Sequence, residues 1–147
     1  MIVVSSGTLL LSGAGIQLML GNLNVGDGTA TANSAKVKLT SVFSELIKDT
    51  AMVSVASDGQ LDMGGLSETI AQLSGTGSVT MPGGGLLTVG GDNDSFTFGG
   101  VISGAGNVNE VGTGAMTYTA ANAYTGGSGN DITLTVAAGC QTAPTAC

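Results

Sequence analysis

QLDMGGLSETIAQLSGTGSVTMPGGGLLTVGGDNDSFTFGGVISGAGNVNEVGTGAMTYTAANAYTGG, residues 60–127, is the stretch whose reading decides the fold. Within it, apolar side chains recur two apart: Leu61 and Met63, Val79 and Met81, Leu87 and Val89, Phe96 and Phe98, Met116 and Tyr118. Each pair sits in a run of about four to six residues, the length of a strand, with one face apolar. Between the runs lie turn signals: MGG, SGTGS, PGGG, GGDNDS, SGAGN and GTG. The same pattern extends outward, to Leu23 and Val25, Val37 and Leu39, and Val53 and Val55 upstream, and to Ile132, Leu134 and Val136 downstream.

Strands spaced by about eight to ten residues suit a sandwich, a barrel or a solenoid. Two features favour the solenoid. The alternating residues are small and aliphatic, and aromatics are only 3% of the chain, too few to fill a wide core. GG and GxG turns also recur between similar runs, as expected if one coil is built repeatedly. The reading is an all-β chain, a parallel β-helix over residues 1–137, followed by a Cys-containing tail, 138–147. At about 20–25 residues per coil and ~4.8 Å per rung it would make about six coils, roughly 30 Å tall. Residues 41–48 (SVFSELIK) differ, because Val42 with Leu46 and Phe43 with Ile47 have i,i+4 spacing. They are read as a helical turn or an irregular loop decorating the solenoid.

Composition supports strands over helices. Charged residues make up 9% of the 147, and 26 are glycine, so the Glu, Lys and Arg that stabilise surface helices are scarce. The net charge is −7, with three Lys or Arg and no histidine. Nucleic acid and anionic membranes both require cations, so neither is an expected partner. The apolar patches of residues 1–20 are interrupted by Gly and Ser, too short for a membrane span. No Lys or Arg precedes them, so a signal peptide is not expected; a leader already removed, or a longer parent chain, are the alternatives. Cys140 and Cys147, in GCQTAPTAC, are a disulfide candidate around Pro144; free thiols and linkage between subunits are the other readings.

The elements LDMGG (61–65), ETIAQLSGTGSVT (68–80), LLTVGGDNDS (86–95), FGGVISGAG (98–106) and VGTGAMTYTAANAYTGG (111–127) resemble, in that order, the autotransporter-associated β-strand repeats of bacterial exported surface proteins. Upstream, NLNVGDGTATANSAKVKL and DTAMVSVASDG are similar to the part that precedes such repeats, so the resemblance spans about residues 22–136. It implies a right-handed parallel β-helix located extracellularly or on the bacterial cell surface. It carries over no catalytic residues. The sequence offers no outer-membrane barrel strands, a departure from an autotransporter.

No enzyme is expected. The closest carboxylate pair is Asp92 and Asp94 in GGDNDS, with no His, Arg or nearby Lys to tune it. A solvated Asx turn is the plainer reading. Calcium is the alternative use for this pair and for Asp131, where GGSGNDIT overlaps a calcium-binding nonapeptide pattern. An ordinary turn is the plainer reading there too, so no metal or other cofactor is expected. Thr29 with Thr31, Thr117 with Thr119 and Thr133 with Thr135 lack the constant spacing of an ice-binding array.

The sharpest functional feature is the start of the chain. MIVV, TLLL and IQLML are apolar, and no charged residue appears before Asp27. A first coil built of them lacks the gatekeeping charges of a solvent-facing solenoid end. It is expected to be covered by another copy, stacked end to end or exchanging a strand through residues 1–11. The expected interface residues are Ile2, Val3, Val4, Leu9, Leu10 and Leu11. The expected role is a self-assembling subunit of an extracellular filament or matrix. The alternative is a passenger fragment of an adhesin that binds a host surface or glycan.

Overall fold

The computed structural model describes residues 1–13, 17–124 and 132–134. Short strands wind repeatedly past three faces. The first face carries β1 (Ile2–Val4), β3 (Leu23–Val25), β5 (Met52–Val55), β8 (Gln72–Gly75), β11 (Phe96–Phe98) and β14 (Met116–Tyr118), hydrogen-bonded in that order. The second carries β2 (Gly7–Leu11), β4 (Ala35–Leu39), β6 (Gly59–Asp62), β9 (Ser78–Met81), β12 (Val101–Gly104) and β15 (Ala123–Tyr124). The third carries β7 (Glu68–Thr69), β10 (Leu86–Val89), β13 (Asn107–Glu110) and β16 (Ile132–Leu134). The strand pairs are parallel. The chain is therefore a parallel β-solenoid. Six rungs on each of two faces enclose about five turns, one fewer than the six coils expected.

Parallel register stacks like on like. On the first face Ile2, Leu23, Val53, Leu73, Phe96 and Met116 form one inward column. On the second, Leu9, Val37, Leu61, Val79 and Ile102 form another. Leu23, Val53 and Leu73 of the first column and Val37, Leu61, Val79 and Ile102 of the second are essentially inaccessible to solvent, and each buried aliphatic contributes about 1.5–3 kcal/mol of transfer free energy. Beside them runs a column without side chains: Gly59, Gly77 and Gly100 follow Ala35. A Cβ on Gly100 would overlap the Gly77 carbonyl oxygen, so the corner between faces is closed by backbone approach.

The 41–48 segment is not helical. Val42 is 89% exposed while Leu46 is buried, and Phe43 is 44% exposed while Ile47 is buried. The i,i+4 pairs thus form no common face. The coil that holds this segment is long, since Leu23 to Val53 spans 30 residues whereas Val53 to Leu73 spans 20, but most of the extra length lies in the loop between β3 and β4. The segment instead lies as an irregular rung on the third face. Met19 N–H donates to Leu46 C=O at 2.9 Å and Lys48 N–H to Met19 C=O at 2.8 Å.

Candidate functional site: an open edge and three buried carboxylates

Among the described residues, β1 pairs with β3 alone and β2 with β4 alone. In a parallel ladder, alternate residues direct their backbone groups to opposite sides. Ile2 N–H donates to Asn22 C=O at 2.8 Å and Gly26 N–H donates to Val4 C=O at 2.8 Å. Ile2 and Val4 therefore spend their backbone groups on the second coil, and Val3 turns its own toward the open side. On β2, Gly7 donates to Ser34 C=O at 2.8 Å, and Leu11 C=O accepts from Thr40 N–H at 2.9 Å. Thr8 and Leu10 are thus the residues whose backbone faces outward along the axis.

The six residues read from sequence as an interface divide into two sets. Ile2, Val4, Leu9 and Leu11 stand in register over buried core residues Leu23, Val25, Val37 and Leu39. Ile2 is 39% exposed, Val4 and Leu9 are half-buried, and Leu11 is buried. Val3 and Leu10 are stacked over Asn24 and Lys38, so they point sideways out of the solenoid, both more than half exposed. Leu18 and Leu20, flanking the inward Met19, extend this exposed apolar rim onto the third face. Sequence reasoning left those two out of the interface.

Asp92 and Asp94 lie in an exposed turn. Asp92 Oδ1 accepts Asp94 N–H at 3.3 Å and its Oδ2 accepts Gln72 Nε2 at 2.7 Å. This is the geometry of an Asx turn tied to the neighbouring coil. With Asp49, Gln72 and Met52 they line a cleft of about 420 Å³. Among the described residues no group of three or more His, Cys, Asp or Glu side chains converges as metal ligands do. Thr29 and Thr31 lie in a loop, not on a strand, while Thr117 is stacked on Thr97. Asp131, Cys140, Cys147 and the 138–147 tail lie outside the described residues.

Three other acids are buried, and sequence reasoning singled out none of them: Asp58, Glu68 and Glu110. Each accepts backbone N–H groups where strand pairing is interrupted. Asp58 accepts from Gly28 at 2.8 Å and from Ala30 at 3.3 Å, fastening the loop after β3. The Gly28 N–H holds its carboxyl below the ordinary carboxylate range, against the opposing effect of burial, with Ala30 adding to the depression. Glu110 accepts from Met116 N–H. Glu68 accepts from Leu46 at 2.8 Å and from Ile47 at 3.0 Å, one bond to each carboxylate oxygen. In return, Glu45 accepts from Thr69 N–H at 2.9 Å and from Thr69 Oγ1 at 3.1 Å. The one sequence signal was a carboxylate at an inward position: Glu68 is in register with Leu87, and Glu110 with Val89.

The class these features define is a parallel β-solenoid whose apolar first rung is paired on one side only among the described residues. Comparison with protein-family models, with curated proteins and with solved structures finds no match to this chain.

Proposed function

We propose that this protein is an extracellular structural subunit that assembles through its first coil, end to end or by strand exchange, into a bacterial surface filament or matrix. The observation that carries the reading is the β1–β2 rung, a parallel edge with no second partner strand among the described residues and with apolar side chains both over the core and outside it. Such an edge templates further strands, and a second solenoid supplies them by continuing the ladders. The contact is heterologous and does not close on itself, so repetition gives a fibre. An apolar membrane is a poor cover, because the edge N–H and C=O groups would find no partners in hydrocarbon. The resemblance to autotransporter-associated repeats supports the surface location, and no enzymatic role is proposed.

The test removes edge donors and leaves the internal bonds in place. In Val3→Pro with Leu10→Pro, both prolines sit where the lost N–H faces the open side. Edge strands tolerate proline there. Negative-stain electron microscopy should show filaments for the parent chain and dispersed particles for the double variant, with β-rich circular dichroism retained in both. Filaments persisting in the folded double variant would rule out edge pairing. A parent chain that remains dispersed at high concentration would turn the reading to the alternative, a fragment of an adhesin.

A further inference from the structure

Winding converts position in the sequence into height along the solenoid, since the rungs of each face follow chain order. The charges are not spread evenly over that height. Residues 1–48 hold all three lysines, Lys36, Lys38 and Lys48, against Asp27 and Glu45, a net +1. Residues 49–147 hold the remaining eight of the ten carboxylates and no Lys or Arg, a net −8, which accounts for the chain's −7. Lys36 and Lys38 project outward from β4, directly behind the open β2 edge and ~4.8 Å from it. Lys48 is exposed on the second rung of the third face, where its N–H donates to Met19 C=O. Asp92 and Asp94 are exposed on the turn before β11, one rung from β14. Among the described residues β14 pairs with β11 alone, and it directs Met116 and Tyr118 into the columns that Ile2 and Val4 begin.

On the reading of the first coil as an assembly edge, on which this rests, we infer that the edge takes the late-coil end of a second copy, and that the axial charge imbalance selects that order over the two reversed ones. Head-to-head contact sets lysine-bearing coils against each other. Tail-to-tail contact opposes two bodies of net −8. Head-to-tail contact alone places unlike charge across the junction. It also continues both columns of the first face, with Met116 followed by Ile2 and Tyr118 by Val4, a three-residue strand on a three-residue strand. Copies of net charge −7 repel one another from afar, so the approach that brings the lysines to the acidic end is the one that proceeds.

Electron cryomicroscopy of parent filaments tests the order. Every copy should point the same way, with β14 of one beside β1 of the next. Alternating orientations, or particles that stop at two copies, overturn the inference and leave the assembly edge standing. A parent chain that stays dispersed overturns both. Light scattering tests the charge, with growth followed at about 0.01 M salt, where a Debye length of ~30 Å spans several rungs. Lys36→Gln with Lys48→Gln should slow growth about tenfold. Thr97→Glu with Ser103→Glu reaches the same net charge, but adds its negative side chains at outward positions of the late coils. It should slow growth by no more than about twofold. Equal growth of the two variants, fast or slow, overturns charge selection. Should circular dichroism show that either pair disturbs the fold, the single changes Lys36→Gln and Ser103→Glu decide in the same way.

Discussion

Gly75 shows how tightly single residues are specified here. Its φ is +102°, and a Cβ would overlap the Val55 carbonyl of the coil below. Strain and steric overlap act together in Gly75→Ala, which should cost about 2–4 kcal/mol. Gly91 has open space around it and no positive φ, so Gly91→Ala should stay within about 0.5 kcal/mol of the parent. Urea unfolding of the two variants measures the contrast. Sequence alone does not separate these glycines, because each stands at or just after the end of a strand in a GxG or GG motif. What distinguishes them is the backbone of the neighbouring coil, about 20 residues away in sequence and ~4.8 Å away in space. The buried acids were hidden for a related reason. Glu68 and Glu110 look like surface charges until the register places them among Leu and Val.

At the scale of elements, period two was legible where the inward positions of a strand are apolar, as in β4, β5, β9 and β10. It failed where one of the two is Gly or Glu. β8 directs Leu73 inward with Gly75, β12 directs Ile102 inward with Gly104, and β13 directs Val108 inward with Glu110. A single apolar residue gives no alternation to detect. For the 41–48 segment the irregular alternative holds and the helical turn does not, because four apolar residues at i,i+4 spacing also arise when two side chains dive into a core and two do not. Leu73 tests the columns directly. It is buried between Val53 and Phe96 on successive rungs, and the rungs cannot collapse around a void without breaking ladder bonds. Leu73→Ala should therefore cost about 2–5 kcal/mol, measured by chemical denaturation.

For the whole molecule, the two shifted carboxyls set opposite limits on stability. Glu68 stabilises below pH 4.5, and its contribution, at most about 3 kcal/mol, is lost as pH rises to about 7. Asp58, with its carboxyl lowered from 3.8, stabilises above that value, and its contribution is lost as pH falls further. Stability should peak on the acid side, near pH 4–5, where urea midpoints measured at low protein concentration will be highest. The peak lies close to the isoelectric point of about 4.1, where self-repulsion is weakest, so folding and association should be favoured in the same range.

The ladders also decide how this molecule bears load. Its ladder hydrogen bonds run along the solenoid axis, so a pull between the two ends loads one rung at a time and not all rungs in parallel. Each rung that peels away frees about 20 residues, or roughly 65–70 Å of chain, in place of one ~4.8 Å step. A fibre of such units would extend under tension by surrendering single coils, and each coil left behind is a template on which the lost one can wind again.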